Sequence, residues 1–297
     1  MKKTSTVYML VIFALFAGSL VAVAGRGYFN GGNFWIDIVS RIIIFALFLA
    51  IFLWATKTDK VWGREIFQKY AISHKVRVGE VIKIILLTGV LFTSFLLIQG
   101  LSVKFFELFG YQQTSEPLGI DNIWKYLTAV MVLAILPAIF EELIFRGYIL
   151  QNMMQFGRTK AIIASSILFS LYHMSPAQTI YQFVLGVACA MIVIYSGKLV
   201  LAMLLHFVNN FIIVTYTYLS GGGEQPITWT SASTIITVAV LVILGSLTAW
   251  SLIKTFKTEK KWNEGQKKFA TSENIGYFIC IAIVGAIWIT TLLSLGT

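Results

Sequence analysis

About nine long runs of apolar residues, each set off by polar or charged clusters, bound what this chain can become. They lie at roughly 7–24, 34–55, 80–101, 123–150, 161–174, 177–196, 199–219, 232–253 and 275–295. A helix crossing a bilayer needs ~20 mostly apolar residues, and most of the runs reach that length. The fifth is short, which leaves it tilted, partly re-entrant or differently bounded. Hydrocarbon offers no water to a bare backbone, so only helices and closed barrels span it. No segment shows the period-two alternation of a lipid-facing barrel strand. The expected fold is therefore all-α, a polytopic transmembrane helical bundle of about eight or nine spans. Residues 1–297 form a single integral membrane domain in this reading. Composition agrees: 58% of residues are hydrophobic and 12% charged, against about 25% charged in soluble domains.

The formal charge of +10 is informative through its placement. Lys2 and Lys3 precede the first run. Lys57, Lys60, Arg64, Lys69, Lys75 and Arg77 follow the second, and Lys83 lies just inside the third. Arg158 and Lys160 follow the fourth, and Lys198 the sixth. Lys254, Lys257, Lys260, Lys261, Lys267 and Lys268 follow the eighth. The alternate connections hold only Arg26, Lys104 and Lys125. Positive loops stay in the cytoplasm, which predicts a cytoplasmic N-terminus. The basic stretches adjoin spans and no soluble domain that could read bases, which argues against nucleic acid as a partner. The lipid bilayer is the expected surroundings, with the basic loops on anionic headgroups.

Lys2-Lys3, the first apolar run and Ala22-Val23-Ala24 also fit a cleaved leader. That run is longer than the usual apolar region of about 7–15 residues, which favours a retained span. Cys189 and Cys280 sit in separate apolar runs without ligand or redox spacing, so both read as small packing residues. Gly221-Gly222-Gly223 marks a flexible outer loop, and His74 falls in a basic loop as a solvated residue.

Ionisable groups inside spans are costly and mark function by default. In 137–210 they concentrate. The fourth run contains Pro137, Glu141, Glu142 and Arg146. Arg146 follows Glu142 by four residues, one helical turn, so the two can pair. Glu141, about 100° away around the helix, is left for another task. Pro137 removes a backbone hydrogen bond one turn earlier and tends to kink the helix. Phe169-Ser170-Leu171-Tyr172-His173 closes the fifth run, and His206-Phe207-Val208-Asn209-Asn210 places Asn210 one turn after His206. Counted from the flanking cations, His173, His206, Asn210 and Glu141 lie roughly 12–25 Å into their helices, similar depths within a core of about 30 Å.

Glu-Glu-x-x-x-Arg (Glu141, Glu142, Arg146), Phe-x-x-x-His (Phe169, His173) and His-x-x-x-Asn (His206, Asn210), in that order on successive helices, resemble the CPBP family. That family groups CAAX prenyl proteases with bacteriocin-processing and immunity-type membrane proteins. The resemblance covers roughly 120–215, the expected catalytic core.

The resemblance implies an intramembrane endopeptidase that cuts a membrane-associated peptide or protein. Glu141 is then the general base, with His173 orienting the attacking water. His206 and Asn210 stabilise the oxyanion, and Glu142 with Arg146 sets the electrostatics. No Ser–His or Cys–His nucleophile is well placed in the spans. No cofactor is required in this reading. A second one places Zn2+ on Glu141, His173 and His206, without the zincin His-Glu-x-x-His helix. Two other classes use the same residues: a non-proteolytic peptide-binding or bacteriocin-immunity protein, and a proton-coupled transporter. The Met-Lys-Lys start and the Lys- and Ile-rich composition point to a bacterial plasma membrane.

Overall fold

The structure is a computed structural model and describes residues 2–28, 34–61, 63–70, 75–111, 119–220 and 271–294. Among them there is no strand. The helices are α1 (Lys2–Tyr28), α2 (Phe34–Thr58), α3 (Arg64–Lys69), α4 (Val78–Glu107), α5 (Ile123–Phe156), α6 (Arg158–Tyr172), α7 (Pro176–Ser196), α8 (Leu199–Leu219) and α9 (Thr271–Ser294). All but α3 coincide with expected spans. The remaining expected span, 232–253, lies outside the described residues, as do His74, Gly221–Gly223 and most of the second basic loop. Among the described residues, five helices are long and apolar enough to cross a membrane: Lys3–Arg26, Phe34–Thr58, Ile123–Phe156, Pro176–Ser196 and Leu199–Leu219. The chain is a multi-pass membrane bundle.

Helix α6 has 15 residues, about 22 Å of rise, less than the ~30 Å hydrocarbon core. Its apolar run is short because Gly157 and the turn after Tyr172 bound it. Gly157 adopts φ +98 and turns the chain sharply from α5 into α6, a conformation that suits glycine. Pro176 in the first turn of α7 starts the next helix, where its missing N–H costs nothing.

α7 and α8 occupy the middle of the bundle. α7 packs on α4, α6 and α8, and α8 packs on α4 and the centre of α5. α2 closes the other side of α5, and α1 packs on α2 and α9. α1 is part of the core: Val7, Tyr8 and Val11 are buried, and the Tyr8 hydroxyl donates to the Leu168 carbonyl at 3.1 Å.

Two of the basic connections are more structured than loops lying on headgroups. In 56–78, Tyr70 is buried and packs its ring on Phe52 and near Tyr148. Lys198, counted as a loop cation, is buried and donates to both carboxylate oxygens of Glu80 at 2.8 and 2.9 Å. Glu80 also accepts from the Arg77 backbone N–H at the start of α4. The pair thus ties the α7–α8 turn to α4. A sequence count cannot separate a loop cation from one with a partner 118 positions away.

Candidate active site

The site begins with a defect in α5. Pro137 has no N–H, so the carbonyl four residues back lacks its usual partner. The helix widens ahead of it: over Val130–Ile135 it is π-helical, and the Leu136 N–H bonds to the Met131 carbonyl, five residues back. Regular α geometry holds over Leu136–Glu142, and the helix widens again over Leu143–Leu150. The acid pair therefore ends a short α segment held between two π segments, a feature common at functional sites.

Glu142 and Arg146 are fully buried, and Arg146 Nη1 donates to Glu142 Oε1 at 2.7 Å. The pair closes across a widened turn and not across the regular α turn expected. Arg146 Nη2 also donates to the Gly186 carbonyl at 3.2 Å, and its guanidinium lies 4.1 Å from the Phe169 ring centre. Gly186 leaves room for this. A Cβ there would stand 3.1 Å from Ser166 Cβ and 3.4 Å from Arg146 Nη2. A buried charge is tolerable only when paired and hydrogen-bonded, and Arg146 is held from three helices.

Glu142 Oε1 accepts a second hydrogen bond, from His206 Nδ1 at 2.9 Å. Because Arg146 already holds that oxygen as a carboxylate, the imidazole nitrogen is the donor. His206 Nε2 then points to the other acid, 3.9 Å from Glu141 Oε2. Glu141 Oε1 accepts from the Tyr172 hydroxyl at 2.9 Å, while Oε2 is buried without a hydrogen-bond partner.

His173 caps the end of α6. Its Nδ1 lies 2.8 Å from the Phe169 carbonyl. A carbonyl only accepts, so Nδ1 carries the proton and Nε2 of the neutral ring carries the lone pair. The imidazole stands edge-on to Phe169 and Tyr172. Met174, just beyond, has φ +53, an uncommon conformation for a non-glycine residue, and it reverses the chain there.

Asn210 is half-buried, and its Oδ1 accepts from Asn209 Nδ2 at 3.2 Å. Asn209 is itself buried and accepts at Oδ1 from the Tyr181 hydroxyl on α7. Asn210 Nδ2 remains as a donor beside Oδ1, which keeps a second lone pair.

Direct contacts thus join Glu141, Glu142, Arg146 and His206. His173 connects to them through Phe169 and Tyr172, and Asn210 lies one turn after His206. Sequence reasoning missed Tyr172, Tyr181, Asn209 and Gly186. It also passed over Arg41, a cation inside the second apolar run. Only Arg41 carried a signal, since charge within a span is conspicuous.

Zinc can be tested on this geometry. Among the described residues no three His, Cys, Asp or Glu side chains converge as a metal-holding group. A catalytic zinc takes three protein ligands and an open position. As placed, Glu141, His173 and His206 do not fit it.

Residues 123–212 match the family model described as type II CAAX prenyl endopeptidase Rce1-like. No curated protein and no solved structure matches the chain.

Proposed function

We propose that this chain, whose residues 123–212 match the family model of Rce1-like type II CAAX prenyl endopeptidases, is an intramembrane endopeptidase that cuts a membrane-associated peptide or protein, with water as the nucleophile. The observation that carries this reading is Glu141. One of its oxygens is held by Tyr172, and the other is buried, unpartnered and turned toward His206 Nε2. A carboxylate oxygen so presented is suited to accept a proton from water.

Glu141 Oε2 takes a proton from the attacking water, and the oxygen bonds to the scissile carbonyl carbon. The lone pair on His173 Nε2 orients that water. The resulting oxyanion meets donors from α8, the Asn210 amide and His206 Nε2–H. His206 donates there as the imidazolium, whose charge brings the set Glu141, Glu142, Arg146 and His206 to zero net. When the intermediate collapses, the C–N bond breaks and Glu141 returns its proton to the leaving amine. Pre-aimed donors in a dry site are typically the largest single contribution to such a rate.

The basic connections support a cytoplasmic N-terminus, and the Lys- and Ile-rich composition supports a bacterial plasma membrane. In a chain with Cys189 and Cys280 replaced, a single cysteine at 75 is expected to label from the cytoplasm only, and one at 124 from outside only. The opposite pattern rejects this orientation.

The decisive experiment compares membrane peptides, by mass spectrometry, in cells carrying the wild-type or the Glu141→Gln protein. A precursor that accumulates only with Glu141→Gln, at equal protein levels, supports the endopeptidase. Identical peptide profiles count against it and favour a binding or transport role.

A further inference from the structure

Glu80 and Lys198 form a buried ion pair that the chemistry above does not use. Both residues are closed to solvent, and Lys198 Nζ stands 2.8 and 2.9 Å from the two carboxylate oxygens. The Arg77 N–H also donates to this carboxylate, at 2.8 Å, and holds it against the start of α4. On the other side, the Lys198 N–H donates to Ser196 Oγ at 3.0 Å, and Ser196 Oγ donates to the Ile192 carbonyl in the last turns of α7 at 2.6 Å. Each partner is thus tied to its own backbone as well as to the other.

The pair sits where α8 begins. Lys198 directly precedes Leu199, and α8 then runs unbroken to Leu219. Near its far end α8 is fastened to the start of α5. There Tyr126 Oη lies 3.0 Å from Thr215 Oγ1, and the Tyr126 and Tyr218 rings stack with centres 4.7 Å apart. His206 falls between these two ties, roughly 12 Å along the helix from Lys198 and roughly 14 Å from Thr215. From that position its ring reaches across to α5, with Nδ1 2.9 Å from Glu142 Oε1 and Nε2 3.9 Å from Glu141 Oε2.

A helix held at both ends presents a central side chain at one place, and a helix held at one end can swing. Leu199 also packs on α5, where a Cβ at Gly147 would stand 3.5 Å from Leu199 Cδ2. Apolar contact of this kind is non-directional and permits sliding. A buried ion pair adds little net stability over an apolar pair of the same volume, and its best attested use is to fix register.

We propose that Glu80 and Lys198 are positioning residues: held on α4, the pair sets where α8 starts and so how His206 meets the two acids. This rests on the endopeptidase reading and extends the site to α4, a helix that carries none of its reacting groups.

The test combines Glu80→Gln with Lys198→Met. Removing both charges is often neutral for stability, whereas removing one strands the other. The chain has three histidines. Ring-nitrogen NMR of the full chain in detergent, with isotope-labelled histidine, resolves them, each assigned by its loss on substitution. The His206 signals are expected to shift or broaden in the double variant while those of His173 stay in place. In cells, the precursor that accumulates with Glu141→Gln should be processed about 10-fold more slowly, since a misplacement of ~1 Å can cost about 100-fold. Unmoved His206 signals overturn the proposal, whether or not processing slows. So does normal processing with moved signals. Should the double variant fail to fold, Glu80→Asp keeps both charges and shortens one arm by a methylene, and its His206 signals decide in the same way. If cells show no Glu141-dependent processing, the endopeptidase reading fails, and the His206 signals still decide whether the pair places α8.

Discussion

The phenol of Tyr172 lies 2.9 Å from Glu141 Oε1, and both side chains are buried. This single hydrogen bond decides which carboxylate oxygen is free. Tyr172→Phe keeps the ring against Phe48 and Phe145 and removes only the donor. The expected result is a fall in kcat of about 10-fold with little change in melting temperature. Glu141→Gln, which removes the base itself, should cost about 100-fold or more. Full activity in Tyr172→Phe would show that the hydroxyl does not orient the acid.

Arg146 is expected to act through Glu142. Arg146→Ala leaves a buried carboxylate without its cation, a change that typically costs about 3–5 kcal/mol. Glu142→Gln combined with Arg146→Gln removes both charges, and the glutamine carbonyl can still accept from His206 Nδ1. The double variant should melt above Arg146→Ala in detergent. Strictly additive losses from Glu142→Gln and Arg146→Gln would mean that the pair contributes nothing as a pair.

His173 offers a test of which nitrogen matters. His173→Asn places an amide near Nδ1 and can keep the bond to the Phe169 carbonyl, but has nothing at the Nε2 position. The protein should fold with near-normal thermal stability and lose activity by about 100-fold. Near-wild-type turnover in His173→Asn would remove Nε2 from the mechanism.

Asn210 is expected to depend on Tyr181 through Asn209. Residues adjacent on a helix do not face each other, so the Asn209–Asn210 bond needs an outside group to aim it. Tyr181→Phe preserves the edge contact with Phe95 and frees Asn209 to turn. A drop in kcat of about 10-fold is expected, a fraction of the 10²–10³ for losing a whole oxyanion donor. The same substitution in an Asn210→Ala background should have no further effect. A loss that persists there would mark Tyr181 as structural only.

The helical architecture was legible because lipid leaves the backbone few options. The Glu142–Arg146 pair was legible because both partners share one helix. Contacts between helices were not. Tyr172 reads as one more apolar residue before His173, and its acceptor is 31 positions away. Asn209 looks like the less useful of two asparagines until Tyr181, 28 positions earlier, is placed against it. The widened turns of α5 escaped a reading that assumed a constant period, although Pro137 supplied the cause of the first. Arg41, a charge inside an apolar run, was visible in the sequence and passed over.

The location of Arg146's counter-ion has a consequence for how the chain is made. Helices enter the bilayer in order of synthesis, and α5 is complete before α7 and α8 exist. Its two central charges neutralise each other within four residues, so α5 brings its own counter-ion into lipid as soon as it is helical. The later hydrogen bonds, from His206 and to the Gly186 carbonyl, then form around an ion pair already in place. Glu141 has no such companion in its own helix. It enters ahead of Tyr172, and its hydrogen bond forms only when α6 follows.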